Sequence, residues 1–165
     1  MCKYYRQDFG IQTQVFRFHN VCGPHGAWEG GREKAPAAIC RKIIEAKQSG
    51  KHEIDVWGDG NQTRSFMYID DCITGLDLLM ATDYSGPLNL GRSELVTINQ
   101  LIDLIEKIAD IEVTRNYQLD KPQGVRGRNS DNTSIKNILN WEPRIDLETG
   151  LKQTYDWIYS QILSE

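Results

Sequence analysis

The sequence has 165 residues, 39% of them hydrophobic and 25% charged, and a formal net charge of −4. This length and composition predict one folded globular domain and exclude an intrinsically disordered chain. The acidic balance argues against a nucleic-acid partner, and no apolar run approaches the roughly 20 residues that span a bilayer, so we expect no membrane attachment.

Cysteine usage indicates a reducing compartment. The four cysteines contain no C-x-x-C pair. Cys40 and Cys72 fall on the apolar faces of predicted helices, where we expect buried thiols. No signal peptide is visible at the start of the chain. We therefore predict a reduced, cytoplasmic protein.

Helical and strand patterns alternate from the start of the chain. Residues 1–9 are typical of the last turns of a helix whose beginning is missing, and an alternating pattern near 12–18 predicts a strand. Residues 34–49 predict a helix with Pro36 in its first turn, and residues 53–57 alternate as a strand. Because the sequence begins within a helical pattern and has no helix-start signal, we expect it to be the C-terminal part of a longer sequence.

A strong turn signal at residues 58–61 either closes a hairpin or carries the chain between layers. Residues 63–68 predict a second short strand, and Asp70 or Asp71 is expected to cap the helix that follows. Residues 87–90 predict another short strand.

The last third continues the alternation. A capping-box pattern at Thr97 starts a helix. Residues 112–117 are β-like, residues 120–132 predict a polar loop, residues 133–139 predict a short helix, and Asp146 is expected to cap a final helix. This order predicts an α/β fold with a parallel sheet.

The glycine-rich segment at residues 17–36 is the best candidate for chemistry. It places Asn20, Arg32, Glu33 and Lys34 among four glycines directly after the first strand. In α/β proteins, loops at the carboxyl ends of strands usually carry the functional side chains. A surface connection with charges for solvation is the alternative, but the density of polar groups favours function.

Short motifs for cofactors and metals are absent or poorly placed. No strand is followed by the glycine pattern of a dinucleotide phosphate loop. The one Tyr-x-x-x-Lys match, at 117–121, lies in a β-like segment and not on a helix, so we interpret it as coincidence. A His-x-x-Cys-x-x-His pattern at 19–25 is broken by Gly-Pro and has no evident fourth ligand, so we predict no metal site.

Five segments resemble the C-terminal half of the extended short-chain dehydrogenase/reductases, the NAD-dependent nucleotide-sugar epimerases and dehydratases. They cover essentially the whole chain in order: Asn20-Val21-x-Gly23-Pro24, Trp57-Gly58-Asp59-Gly60-x-Gln62-Thr63-Arg64-Ser65-Phe66-x-Tyr68-Ile69-Asp70-Asp71, Leu88-Asn89-Leu90-Gly91, Leu139-x-Trp141-x-Pro143 and Leu147-x-x-Gly150-Leu151. Cys22 departs from the family, which usually has Tyr before Gly-Pro. The implied fold is the last parallel strands of an extended short-chain dehydrogenase Rossmann fold plus a small α/β substrate-binding domain.

Two rarer segments resemble the GDP-mannose 3,5-epimerases, a family within this group. They are residues 26–38, which contain Gly-Gly-Arg-Glu-Lys, and residues 124–132, which read Gly-Val-Arg-Gly-Arg-Asn-Ser-Asp-Asn. The resemblance implies that residues 1–165 are the C-terminal substrate-binding portion of such an enzyme and that the N-terminal NAD-binding portion is absent. That portion carries the glycine loop, the catalytic Tyr-x-x-x-Lys and a catalytic cysteine, so the cofactor-binding residues of this chain stay unknown and Cys2, Tyr4 and Tyr5 take none of these roles.

The resemblance also implies an activity. Transient oxidation of GDP-mannose at C4 by NAD acidifies the hydrogens at C3 and C5, and inversion at both carbons gives GDP-galactose. Each inversion needs an acid and a base on opposite faces of the ring, and Lys34 is implied as one of that pair. A nearby Arg32 and partial burial would favour its free amine. The family commonly dimerises, so a homodimer is expected.

Eight further substrate contacts are implied; the plainer alternative is a turn for Asn20 and surface salt bridges for Arg64 and Arg128. They are the strand-end amide Asn20, the neighbours Glu33 and Ala35 of Lys34, the neutral donors Gln62 and Thr63, and the diphosphate-binding Lys42, Arg64 and Arg128. Arginine suits a diphosphate because its planar fork pairs with two phosphate oxygens.

Two other interpretations stay open. A related UDP- or dTDP-sugar epimerase, dehydratase or decarboxylase shares the broad motifs, although the Gly-Gly-Arg-Glu-Lys run argues against it. A truncated, non-catalytic binding module is the second, and it would leave apolar sheet surface bare and in need of a partner chain. In either case we expect the isolated 165 residues to be inactive.

Overall fold

The computed structural model describes residues 1–164 and shows an α/β architecture. Its helices are α1 (Cys2–Phe9), α2 (Ala35–Ser49), α3 (Ile69–Met80), α4 (Ile98–Ala109), α5 (Thr133–Leu139) and α6 (Leu147–Ser164). Its strands are β1 (Val15–Phe18), β2 (Val21–Cys22), β3 (Glu53–Trp57), β4 (Thr63–Arg64), β5 (Met67–Tyr68), β6 (Pro87–Leu90), β7 (Val96–Thr97), β8 (Thr114–Gln118) and β9 (Gly127–Arg128).

The strands pair mostly in parallel, as the alternation of strands and helices predicts. Within residues 1–164, the parallel pairs are β1–β6, β2–β5, β3–β8 and β4–β9, and β4–β7 is antiparallel. Parallel pairing needs a crossover between the strands, and helices supply several of these crossovers here. The predicted α/β class with parallel strands is therefore confirmed.

Two apolar clusters form the core. The first packs α2, α4 and α6 against β3, and its fully buried members include Ile43, Ile44, Leu101, Ile102, Ile105, Leu151 and Ile158. The second lies beside the β1–β6 pair and includes Leu79, Leu88, Leu90, Ile135 and Trp141. Gly75 of α3 lets Trp141 and Leu90 approach closely, because a Cβ there would lie 2.6 Å from Leu90 Cδ1.

Most predicted elements are found close to their expected places. The predicted helices 34–49 and 133–139 and strands 53–57 and 87–90 are present. Thr97 and Gln100 form the full capping box, with Gln100 N–H donating to Thr97 Oγ1 at 3.0 Å. Asp146 accepts the Thr149 N–H at 2.8 Å, which confirms its capping role. Cys40 and Cys72 are buried free thiols, as predicted.

Four boundaries differ from the predictions. The strand at 12–18 begins only at residue 15, since the Gln12 and Thr13 side chains bond to Asp83 and Cys2 instead. The strand at 63–68 is split into β4 and β5, which join different sheets. The β-like segment at 112–117 becomes Thr114–Gln118. The polar loop at 120–132 contains β9, which pairs with β4.

The turn at residues 58–61 carries the chain between sheets and closes no hairpin, since β3 pairs with β8 while β4 pairs with β7 and β9. Gly58 and Gly60 have φ of 79° and 71°, a left-handed conformation that favours glycine. The Asn61 N–H donates to Asp59 Oδ1 at 2.9 Å. This hydrogen bond and Arg126 lower the pKa of Asp59 to about 2.

The prediction that Asp70 or Asp71 caps α3 is wrong. The helix begins after Tyr68, which makes no side-chain cap. Asp71 is buried and its carboxylate accepts the backbone N–H groups of Arg144, at 3.0 Å, and Ile145, at 2.8 Å. The carboxylate therefore anchors the segment before α6 to the start of α3.

Replacing Asp71 by Ala is expected to lower the free energy of unfolding by about 2–4 kcal/mol, because two backbone N–H groups lose their acceptor. Asp70→Ala is the matched control, because Asp70 shares the first turn of α3 but is exposed and anchors no loop. We expect this control to lower the free energy of unfolding by about 0.5 kcal/mol or less. Urea denaturation of both variants measures the difference. Equal losses would show that the anchoring hydrogen bonds contribute nothing.

Candidate functional site

The carboxyl ends of β1 and β6 lie side by side, because these strands are parallel and in register from Val15–Pro87 to Phe18–Leu90. His19 and Asn20 follow β1 directly. Asn20 has φ of 45°, a left-handed turn that its side chain stabilises: Nδ2 donates to Ser65 O at 3.0 Å, while the Asn20 carbonyl accepts the Met67 N–H at 3.2 Å. Asn20 thus connects the end of β1 to the segment that follows Arg64.

Arg64 and Arg128 are register partners in the parallel β4–β9 pair. Partner residues of neighbouring strands project from the same face of a sheet, so two guanidinium groups share one face. The Ser65 N–H donates to Arg128 O at 3.2 Å, and Arg64 Nη1 donates to Thr63 O at 2.7 Å. Arg128 is exposed, and no carboxylate among residues 1–164 forms a salt bridge with either arginine. Adjacent like charges without a counter-ion favour an anion.

His19 lies close to Arg128 of this pair. Burial lowers the pKa of His19, and the nearby Arg128 guanidinium lowers it further, against an opposing hydrogen bond with Asn89. Its Nδ1 is buried and has no partner within the described chain. A neutral imidazole here leaves the positive charge of the site to the arginines.

A groove of about 860 Å³ runs between α2 and β3. Four predicted contacts line it: Glu33, Ala35, Lys42 and Gln62. Lys42 Nζ donates to Asp55 O at 2.6 Å, and burial lowers the pKa of Lys42 against the opposing charge of Asp55. Gln62 is buried, with Nε2 donating to Trp57 O at 3.1 Å. Gln62 lies two residues before Arg64 in the chain, and neither Arg64 nor Arg128 lines the groove.

Lys34 is the N-cap residue of α2, in extended conformation at φ −82° and ψ 161°. It is exposed, so the partial burial that we expected is not found in this chain. Its Nζ makes no hydrogen bond or salt bridge to any of residues 1–164. Its neighbours Glu33 and Ala35 line the groove, and Lys34 lies between them in the chain without lining it.

The predicted residues therefore form two adjoining groups. Asn20, Arg64 and Arg128 meet around Ser65, whereas Glu33, Ala35, Lys42 and Gln62 line the groove, and Thr63 joins the two along β4. The described contacts do not connect Lys42 or Lys34 to the arginine pair. Lys42 was expected to share the diphosphate with the arginines, and the structure instead holds its amine against the groove wall.

The His-x-x-Cys-x-x-His segment is used for packing. Cys22 Sγ donates to Met67 O at 3.6 Å, burial raises the pKa of this thiol to about 12, and the His25 ring packs on Trp157 at 5.2 Å between centroids. In the described part of the chain, no three His, Cys, Asp or Glu side chains are grouped to hold a metal ion. Nor does any helix there combine the length and apolarity needed to cross a membrane.

Residues 1–91, more than half of the chain, match the NAD dependent epimerase/dehydratase family. The chain belongs to this family. The likeness to GDP-mannose 3,5-epimerases is also confirmed: the chain is 48% identical to GDP-mannose 3,5-epimerase 1 of Oryza sativa and 45% identical to GDP-mannose 3,5-epimerase of Arabidopsis thaliana, over all 165 residues. It spans 42% of the length of each relative.

Solved structures of epimerases share the fold of this family member. UDP-glucose 4-epimerase from Thermotoga maritima has a TM-score of 0.86 at 27% identity, over 97% of this chain and 50% of that one. UDP-glucuronic acid 4-epimerase from Bacillus cereus, in complex with UDP-glucuronic acid and NAD, has a TM-score of 0.78 at 28% identity, over 98% and 49%. The predicted extended short-chain dehydrogenase fold is thereby confirmed.

The starts of α3, α4 and α6 do not fit the cofactor's diphosphate, although the family is NAD dependent. Strand β5 passes into α3 without a glycine loop, and the first turn of α3 carries Asp70 and Asp71, which repel phosphate. Side-chain caps occupy N–H groups at the starts of α4 and α6. No step is therefore assigned to contacts between this chain and NAD.

Sequence analysis missed three residues near the site: His19, Asn89 and Arg41. His19 immediately precedes Asn20 at the end of β1, so its position was a usable signal. Asn89 lies in the Leu-Asn-Leu-Gly motif, and its Nδ2 donates to Asp131 O at 3.1 Å beyond Arg128. Arg41 lies seven residues after Lys34 and therefore on the same side of α2.

Proposed function

We propose that this chain is the substrate-binding portion of a GDP-mannose 3,5-epimerase, which binds GDP-mannose and supplies Lys34 as an acid/base in its conversion to GDP-galactose. The observation that carries the proposal is the identity of 45–48% to enzymes of that name, against 32% to UDP-glucuronic acid decarboxylase 1 and 30% to GDP-L-fucose synthase 1, both of Arabidopsis thaliana.

The arginine pair is the proposed diphosphate site. Arg64 and Arg128 share one face of the β4–β9 pair and lack a carboxylate partner in the described chain. A diphosphate placed between them accepts hydrogen bonds from both guanidinium groups and offsets the repulsion between their charges. The sugar nucleotide then extends along β4 past Thr63 and Gln62 into the groove between α2 and β3, whose lining includes Glu33 and Ala35 on either side of Lys34.

Lys34 is the proposed proton-transfer group of this chain. As a free amine it takes a proton from a ring carbon beside a carbonyl, and as an ammonium it returns one. The amine is available, because no group among residues 1–164 binds it. Inversion needs a second group on the opposite face of the ring, which we assign to residues outside this sequence.

The remaining parts of the proposal concern the whole enzyme. Residues 1–165 form its C-terminal portion, and NAD binds mainly to a portion outside this sequence. The enzyme is a cytoplasmic homodimer. The family relationship and the NAD-bound structure of a relative support the cofactor.

A hybrid enzyme tests the proposed function. In it, this chain replaces the matching region of the rice GDP-mannose 3,5-epimerase 1. We expect the hybrid to epimerise GDP-mannose at C3 and C5, with no turnover of UDP-glucose or UDP-glucuronic acid, whereas the 165 residues alone give no turnover. The unaltered rice enzyme is the positive control.

Ligand-induced thermal shifts on the 165-residue chain provide a test that does not depend on the hybrid. GDP-mannose should raise the melting midpoint, because a ligand that binds only the folded state stabilises it, and UDP- and dTDP-sugars at equal concentration should not. A shift with UDP- or dTDP-sugars and none with GDP-mannose would contradict the proposal and favour a related enzyme. Turnover by the 165 residues alone would show that they hold the full catalytic apparatus.

A further inference from the structure

The loop that presents Lys34 is held by one side chain of the helix that Lys34 begins. Arg41 lies two turns along α2 on the same side as Lys34, and helical side chains lean back toward the N-terminus of their helix. Its guanidinium therefore reaches the preceding loop, where Nε donates to Trp28 O at 3.2 Å and Nη2 donates to Glu33 Oε1 at 3.3 Å. Nη1 bonds Glu45 at 2.9 Å on the outer side.

Glu33 completes this anchor. Its side chain is 11% exposed, and the pKa of Glu33 is lowered by its own backbone N–H, by the Gly31 N–H and by Arg41. The lowered pKa favours the ionised carboxylate, which lies against the backbone of its own loop, residues 28–33. Arg41 and Glu33 together fix the backbone at both ends of residues 28–33.

This loop needs such an anchor. Gly30 and Gly31 have φ of 79° and 82°, and glycines lose more conformational freedom on ordering than any other residue. No atom within 4 Å would touch a Cβ at either glycine, so packing does not fix them. The Arg41 contacts therefore help to set the direction in which the chain enters Lys34, together with the packing of Trp28 on the core and the Ala38 N–H bond to Lys34 O.

We propose that Arg41 is a positioning residue for Lys34, and that Glu33 acts mainly as the internal partner of Arg41. The inference rests on the proposed function, since it concerns the same proton transfer. It gives Arg41 a role different from that of the other arginines: Arg41 acts through the loop, while the diphosphate is held by Arg64 and Arg128.

The test uses the hybrid enzyme in D₂O, followed from GDP-mannose and from the epimerised product. In one direction of the reaction, Lys34 donates a proton to the ring carbon on the face opposite to the group that removed the original proton. If Lys34 is displaced, that other group can instead return a deuteron to the face from which the proton was taken. The C–H bond is then replaced by C–D with the original configuration. The ratio of exchange with retention to inversion reports the position of Lys34 and does not change when part of the enzyme is simply unfolded.

Arg41→Ala should lower kcat about 30- to 100-fold, as expected for a displacement near 1 Å, and change KM less than about threefold. In the direction of the reaction in which Lys34 donates the proton, Arg41→Ala should raise the ratio of exchange with retention to inversion at least about tenfold. Arg41→Lys should give values of kcat and of this ratio between those of the parent and Arg41→Ala, because one ammonium cannot reach all three acceptors. This variant also provides the test if Arg41→Ala does not fold. Glu45→Gln removes only the negative charge of the outer contact, since a glutamine oxygen can still accept from Arg41, and it should behave as the parent hybrid.

Failure of this inference is distinguishable from failure of the proposed function. An unchanged ratio in both Arg41 variants, or a rise in KM with kcat intact, overturns the positioning role, the second result indicating a direct ligand contact. If the parent hybrid lacks epimerase activity, or if Lys34 proves dispensable in it, the proposed function fails and takes this inference with it.

Discussion

Replacing Lys34 by Met in the hybrid enzyme is expected to lower kcat by about 10³-fold, with the affinity for GDP-mannose changed less than about threefold. General acid/base groups contribute roughly 10²- to 10⁴-fold to a rate. Lys34 is exposed at the N-cap of α2 and makes no side-chain cap bond, so we expect the substitution to leave the fold intact. Product formation, followed by separation of the epimeric nucleotide sugars, measures the loss.

Two further variants sharpen this prediction. Lys34→Arg keeps the positive charge, but an arginine does not lose its proton near neutral pH, so it should be almost as inactive as Lys34→Met. Lys152→Met changes an exposed lysine on α6 that pairs with Asp156, and it should match the parent hybrid. Substantial activity in Lys34→Arg would mean that Lys34 acts by its charge and not by moving a proton.

Replacing Arg64 or Arg128 by Gln should weaken GDP-mannose binding by about 10- to 100-fold each, since a hydrogen bond to a charged group contributes about 1.5–3 kcal/mol. The double variant should lose about 10³-fold, with a weaker dependence of Kd on salt because fewer charges meet the diphosphate. Titration calorimetry at two ionic strengths measures both effects.

Arg126→Gln is the matched control for the arginine pair. Arg126 lies in the same loop as Arg128 but donates to Asp59 at 3.0 Å, which occupies its guanidinium. We expect a change in Kd below about threefold. A larger effect from Arg126 than from Arg128 would mean that the diphosphate lies on a different part of the loop.

The parts of the fold that local pattern determines could be predicted from the sequence. The start of α4 was predictable because a capping box needs only residues three apart, and both of its hydrogen bonds are present. Helix α2 and strand β3 were predictable because apolar periodicity alone specifies them. The end of β1 was identified as a candidate site on the same local basis.

Long-range pairings were not predictable in this way. The segment 63–68 has one continuous β pattern, but two different sheets divide it between them. Asp71 lies where helix caps are common, yet its carboxylate accepts a backbone N–H from a loop 73 residues later in the chain. The side-by-side placement of Arg64 and Arg128 depends on β9 joining β4 across a similar distance. Motif resemblance indicated both arginines separately, and only the three-dimensional pairing shows that they are neighbours.

The separation of the two apolar clusters affects how the chain unfolds. Each cluster can act as its own cooperative unit, since few side chains belong to both. Calorimetry would then show two overlapping transitions, and a nucleotide sugar seated between α2 and β3 would delay the one that melts the α2–α4–α6 layer.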